Sequence, residues 1–179
     1  MLRLFVCVWI PDTLREKIVK FQEEIMKLPL KGKFVEPQNL HVTVTFLGNK
    51  KNEEVTPLKK NLDKAVSDID KFHVKLEGLK LIPNEDFIRV IGIGLKDSER
   101  FSNLIKSVTN LIDGKYYTEE KLTLCRVKKI FEKEKIKDFI KEKRKIKIGS
   151  FEVKNVALVK STLTSRGPIY KTIHVSFLK

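Results

Sequence analysis

Apolar positions along this chain fall into two periods, one of two residues and one near 3.6, and the switches between them mark its elements. Leu2–Trp9 is an apolar run with β-branched and aromatic residues, and reads as a buried strand. Leu14, Ile18, Phe21, Ile25 and Leu28 then recur at helical spacing, with Asp12 or Thr13 to cap the helix and Pro29 and Gly32 to stop it. Lys33–Glu36 is short and extended. Leu40–Gly48 alternates and is rich in β-branched residues, which predicts a strand with His41, Thr43 and Thr45 on one face. Thr56–Ile69 reads as a helix with Pro57 in its first turn. Phe72–Leu81 and Phe87–Ile93 read as a hairpin around Pro83-Asn84. Ser98–Ile112 is a helix capped by Ser98 and ended by Gly114. Lys121–Ile130 alternates as a strand, and Glu132–Lys143 is a short charged helix. Phe151–Lys160 and Ile169–Phe177 are closing strands around a Ser161–Pro168 turn.

The order β-α-β-α-β-β-α-β-α-β-β, with frequent hairpin signals, predicts an α+β fold with antiparallel sheet rather than a doubly wound one. At 179 residues, with no linker or low-complexity tract, the chain reads as a single domain spanning 1–179. One internal echo stands out. His41-Val42-Thr43-Val44 and Lys121-Leu122-Thr123-Leu124 share the form basic-apolar-Thr-apolar, lie 80 residues apart, and each precedes a helix. An internally duplicated, two-lobed fold gives such an offset.

Charge adds a partner class. There are 37 Lys+Arg against 23 Asp+Glu, a formal net charge of +14, which favours a polyanion such as nucleic acid, a nucleotide or an acidic membrane surface. Lys121–Lys147 holds 12 Lys+Arg against 4 Asp+Glu, a net +8 and more than half of the excess. It reads partly as a solvated helix face and partly as a phosphate-backbone track reaching the Lys121 strand. Cys7 and Cys125 each sit in a strand pattern, outside any CxxC pair, and are expected as buried free thiols. The apolar run Leu4–Ile10 is too short to span a membrane, and Pro11-Asp12 ends it without a cleavage site. A cytosolic, unprocessed protein is expected.

Candidate chemistry centres on His41. On a polar strand face with threonines, an imidazole and hydroxyls can converge on one small anion; a surface histidine on a half-exposed strand is the plain alternative. His73 and His174 read as structural. No His/Cys/Asp/Glu cluster has metal-ligand spacing, and neither a GxxxxGK[ST] nor a GxGxxG motif occurs. Lys121 carries no KxDG pattern. The expectation is therefore no metal and no cofactor, with phosphate chemistry run on proton transfer and anion-holding groups alone.

The residues His41-Val42-Thr43-Val44-Thr45-Phe46-Leu47-Gly48 resemble the first HxTx motif of the two-histidine phosphoesterases. Within them the chain is similar to the LigT-like RNA 2′,3′-cyclic phosphodiesterases, also called 2′-5′ RNA ligases. Arg3-Leu4-Phe5-Val6, Phe34-Val35-Glu36, Lys160-Ser161-Thr162-Leu163-Thr164 and Gly167-Pro168-Ile169-Tyr170 extend the likeness over nearly the whole chain. The second motif departs from the family pattern: Lys121-Leu122-Thr123-Leu124-Cys125-Arg126 has lysine where the family has histidine.

The resemblance implies two pseudo-symmetric lobes, each antiparallel sheet plus helices, facing a central cleft. It implies opening of a 2′,3′-cyclic phosphate at an RNA end by water to leave a 2′-phosphate. Attack by a 5′-hydroxyl would instead give an ATP-independent 2′-5′ linkage. His41 is then the proton donor, Thr43, Thr123 and Arg126 bind the phosphate, and Lys121 occupies the position of the second catalytic group. Phe46, Lys128, Lys129 and Tyr170 are expected RNA contacts. The expected partner is RNA with 2′,3′-cyclic phosphate or 5′-hydroxyl ends, tRNA fragments among them, met by a monomer away from membranes. A lysine ammonium titrates near pH ~10.4, so at this position a charged group that grips phosphate is favoured over a base. The alternative is a catalytically degenerate RNA-binding protein that uses the basic cleft.

Overall fold

The structure is a computed structural model that describes residues 1–96, 98–115, 120–165 and 167–179. Among these, nine strands form one antiparallel sheet: β1 (Leu2–Trp9), β2 (Leu30–Phe34), β3 (His41–Lys50), β4 (Phe72–Pro83), β5 (Ile88–Lys96), β6 (Lys121–Ile130), β7 (Lys147–Val153), β8 (Asn155–Leu163) and β9 (Pro168–Phe177). Four helices among the described residues cover it: α1 (Asp12–Met26), α2 (Val55–Val66), α3 (Glu99–Ile112) and α4 (Lys133–Lys143). The strand order is β7-β4-β5-β6-β3-β1-β8-β9, with β2 laid against β6. Among the described residues no helix is long and apolar enough to cross a membrane.

The order reads the same from both ends about the β6–β3 junction. That junction is a single antiparallel pair, Val42 opposite Leu122, and these two residues are 80 apart in sequence. The flanking pairs match as well: β1 on β3 mirrors β5 on β6, and β8 on β1 mirrors β4 on β5. The irregularities repeat too. Along β3, Thr43 faces Cys7 and Thr45 faces Val6, leaving Val44 as an extra residue. Along β6, Thr123 faces Gly92 and Cys125 faces Ile91, leaving Leu124 as the extra residue. A bulge reverses the alternation beyond it. The 80-residue echo is thus a pseudo-two-fold built into the sheet.

Core formation follows the apolar patterns. Leu4, Val6, Ile18, Phe21, Ile25, Val42, Leu104, Ile105 and Leu122 are all buried in one cluster, each aliphatic or aromatic side chain contributing about 1.5–3 kcal/mol on burial. Phe5, Cys7, Ala157 and Val159 form a second, smaller cluster on the other face of β1 and β8, with Trp9 and Tyr170 packed against it. Cys7 and Cys125 are buried and unpaired with each other; burial pushes the Cys7 thiol well up and that of Cys125 up to about 11.

Several expectations need correction. Phe151–Lys160 is two strands, not one: β7 pairs with β4 at one end of the sheet and β8 with β1 near the other. Lys154, between them, carries the chain across. The extended piece near Lys33 begins earlier, at Leu30, and is a ladder strand on β6. Neither Asp12 nor Thr13 caps α1; Pro11 occupies that position with no side-chain hydrogen bond. Ser98 does precede α3, but through its carbonyl, which accepts from the Ser102 N–H at 2.8 Å. The expected Ser161–Pro168 turn is shorter, since Ser161, Thr162 and Leu163 still pair with β9, and Arg166 within it lies outside the described residues.

Candidate active site

A cleft of about 630 Å³ opens where β3 and β6 meet. His41 and Thr43 enter it from β3, and Thr123 and Arg126 enter it from β6. The paired bulges explain the spacing. His41 and Thr43 share a face by simple alternation. The extra residue Val44 then swaps the parity, so Phe46 reaches the cleft. Thr45, expected beside His41 and Thr43, is turned away and fully buried, its Oγ1 donating to the Lys115 carbonyl at 2.7 Å. On β6 the extra residue Leu124 does the same, bringing Arg126 into the cleft with Thr123. Phe46 and Arg126, both exposed at the same offset from their bulges, are pseudo-symmetric partners of different chemistry.

His41 is held on several sides. Its Nδ1 lies 2.6 Å from the Asn39 carbonyl oxygen. A carbonyl only accepts, so Nδ1 carries a hydrogen in either charge state and Nε2 is the nitrogen that titrates. Three rings enclose the imidazole: Phe5 at 5.2 Å, Tyr170 at 5.5 Å edge-on, and Trp9 at 5.7 Å edge-on. Trp9 is itself fixed by its Nε1–H donating to Thr172 Oγ1 at 3.1 Å, and the Asn39 Nδ2 donates to the Pro168 carbonyl at 3.2 Å. Burial lowers the His41 pKa below its ordinary value, the Asn39 hydrogen bond raises it in part, and the Arg126 cation lowers it further. Tyr170 titrates above its usual value, chiefly through burial, so its hydroxyl stays protonated at neutral pH.

The cleft is cationic for reasons that sequence proximity does not reveal. Arg3, Lys33 and Lys115 line it with Arg126, against one carboxylate among the described residues, that of Glu36. Arg3 comes from β1, where it pairs with Ser161 of β8, also in the lining. Lys33 sits opposite Arg126 in the β2–β6 ladder. These cations come from four segments scattered in sequence, whereas the dense basic run Lys121–Lys147 supplies only Arg126 among the described residues.

Three expected site residues are not in the lining. Lys121 starts β6 as His41 starts β3, but it is buried, 6% exposed, and is not among the described residues that line the cleft. Lys128 and Lys129 lie further along β6 beside a separate concavity. The other two expected RNA contacts, Phe46 and Tyr170, do line the cleft. Among the described residues no three His, Cys, Asp or Glu side chains are grouped to hold a metal ion.

Fold and cleft together define a class: an antiparallel α+β protein whose two pseudo-symmetric halves present a histidine, two threonines and cations to one cleft. The LigT like Phosphoesterase family model matches residues 8–92. The RNA 2′,3′-cyclic phosphodiesterase of Methanocaldococcus jannaschii is 38% identical over 178 residues, covering 96% of this chain and 98% of that protein. The Aquifex aeolicus protein of the same name is 30% identical over 186 residues, covering 99% and 98%. Among solved structures, TT0787 of Thermus thermophilus superimposes with a TM-score of 0.80 at 24% identity over 98% of this chain and 97% of that one. E. coli LigT complexed with 3′-AMP gives 0.76 at 19% identity over 99% and 98%; these two share the fold. The chain belongs to the LigT-like phosphoesterase family.

Proposed function

We propose that this protein is an RNA 2′,3′-cyclic phosphodiesterase, and that His41, Thr43, Thr123 and Arg126 carry the reaction. The observation that supports this most is the convergence of those four side chains on one cationic cleft from two strands that meet at a single residue pair. Full-length relatives named RNA 2′,3′-cyclic phosphodiesterase favour an enzyme over an RNA-binding protein without activity.

In this reading the cyclic phosphate sits between the Thr43 and Thr123 hydroxyls, which donate to its non-bridging oxygens, with the Arg126 guanidinium beside it. Before substrate arrives, His41 is biased toward the neutral imidazole by burial and by Arg126. A bound phosphate offsets the Arg126 charge and adds its own, which raises the affinity of Nε2 for a proton. Nε2–H then stands ready to protonate the 3′-oxygen as its bond to phosphorus breaks. Water supplies the new P–O bond, and its proton leaves to the second half of the site or to solvent. The product is a 2′-phosphate and a free 3′-hydroxyl. If an RNA 5′-hydroxyl takes the place of water, the same transfer yields a 2′-5′ linkage without ATP.

The test uses a nucleoside 2′,3′-cyclic phosphate in excess chelator. Phosphorus NMR should show conversion to the 2′-phosphate, at an unchanged rate with or without chelator. An intact substrate, or a 3′-phosphate product, overturns the assignment.

A further inference from the structure

Beyond Arg126, β6 runs out of the cleft and along a second concavity of about 300 Å³. Phe87 lines it from just before β5, Arg89 from the start of β5, Lys128 and Lys129 from the end of β6, and Lys133 from the first turn of α4. Among the described residues one carboxylate, Asp86, faces these four cations. Among the described residues none of the four is ion-paired.

Two phenyl rings stand out in water, Phe87 in the lining of this concavity and Phe131 beside Lys129 at its edge. Phe87 is 56% exposed and Phe131, just past Lys129, is 59% exposed. Each is capped by a cation: Arg89 Cζ lies 4.6 Å from the Phe87 centroid, and Lys129 Nζ lies 5.3 Å from that of Phe131. Their backbones are fixed. Asn84 Oδ1 accepts from the Asp86 and Phe87 N–H groups, each at 3.0 Å, and the Phe131 N–H donates to the Pro29 carbonyl at 2.8 Å. A single exposed aromatic is ordinary. Two ordered rings, each under a cation and flanked by further unpaired cations, have the composition of a single-strand nucleic-acid platform, where bases stack on rings and phosphates meet Lys and Arg.

We propose that this groove binds the body of a single-stranded RNA whose 3′ end occupies the cleft. Bases a few nucleotides upstream stack on Phe87 and Phe131, and Arg89, Lys128, Lys129 and Lys133 take the phosphates. Lys128 follows Arg126 by two residues, about 7 Å along the strand, so one chain passes from site to groove without a gap that lacks a cation. An acidic peptide would satisfy the cations but leave both rings without a flat partner. The role of the cleft rests on the phosphodiesterase reading; the groove is tested separately from it.

The variant Phe87→Ala/Phe131→Ala removes both rings from exposed positions and leaves the core intact. Two readouts are compared with the wild type: fluorescence-anisotropy binding of a labelled ten-nucleotide RNA with a 3′-phosphate, and kcat/KM for a nucleoside 2′,3′-cyclic phosphate. The proposal expects ten-mer binding to weaken at least about tenfold, given the roughly 5–150-fold that one base–aromatic stack is worth, with nucleoside kcat/KM unchanged. In Lys128→Ala/Lys129→Ala, the slope of log Kd against log salt should flatten by about 1.4. Unchanged ten-mer binding in the ring variant overturns the proposal, as does displacement of the ten-mer by polyglutamate as readily as by unlabelled RNA. If the wild type hydrolyses no cyclic phosphate yet the ring variant loses ten-mer binding, the phosphodiesterase reading fails and the groove stands. If hydrolysis proceeds and ten-mer binding is indifferent to the rings, the groove fails and the reading stands.

Discussion

For single residues, the chemistry turns on what His41 and Lys121 can each do with a proton. His41 donates from Nδ1 to the Asn39 carbonyl, so its Nε2 alone changes state, and burial with Arg126 nearby holds its pKa below the ordinary value of about 6.5. As an acid it must be protonated, so kcat/KM should fall with rising pH above that lowered value. The break in kcat should lie at higher pH, because bound phosphate offsets Arg126. A kcat/KM that rises through this range would make His41 a base. The same shift affects stability. The unfolded chain takes up this proton near pH ~6.5 and the folded chain only lower, so stability declines as pH falls from about 6.5 toward the native value. Urea midpoints of wild type and His41→Gln across that window should differ in pH dependence, the wild type losing more stability toward low pH. Lys121 is buried at the position that mirrors His41 across the Val42–Leu122 pair. We expect Lys121→His to raise the hydrolysis rate by about 10²-fold, the lower range for adding one proton-transfer group. A fall in rate would mean that the lysine itself is the working base.

Among the strands and helices, two bulges and a glycine decide which side chains meet. The strand pattern around His41 is legible from alternation, and so are most boundaries: β1, α3 and β6 lie where the periodicity puts them. Alternation cannot register an extra residue, however, because nothing in Val44 or Leu124 marks them as bulged. It therefore assigns Thr45 to the wrong face. Gly92 illustrates the same limit. As a sequence feature, Gly92-Ile93-Gly94 only fails to match a nucleotide-binding motif. In the sheet, a Cβ on Gly92 would lie 2.5 Å from the Leu122 carbonyl oxygen, beside the β3–β6 junction. That neighbour is backbone and cannot swing aside, so Gly92→Ala should cost about 1–3 kcal/mol and raise KM by prising β5 from β6. Chemical denaturation together with kinetics checks both. An unchanged midpoint would mean that the junction yields freely. His174, by contrast, has the structural role expected of it: its Nε2 lies 2.7 Å from Asp63 Oδ1, which also accepts from Ser176 Oγ at 2.6 Å, fastening α2 to β9.

Across the fold as a whole, the +14 net charge and the 80-residue echo resolve into one arrangement. Two halves of similar order meet at Val42 and Leu122, and the cations around that meeting point are gathered from β1, β2, the segment after α3, and β6. The echo is visible in the sequence because it lies within two short strands. The gathering is not, since Arg3, Lys33 and Lys115 are brought together only by sheet pairing and loop closure. The basic run after Lys121 points elsewhere, to the Phe87 and Lys129 groove and the outer face of α4. Everything proposed for the cleft depends on one imidazole driving the opening of a cyclic phosphate. The decisive experiment is single-turnover hydrolysis of an RNA ending in a 2′,3′-cyclic phosphate by wild type and His41→Ala, with thermal unfolding and substrate binding measured on the same samples. We expect a rate loss of about 10²–10⁴-fold with folding and binding retained. A variant that hydrolyses the RNA at the wild-type rate would refute the role given to His41.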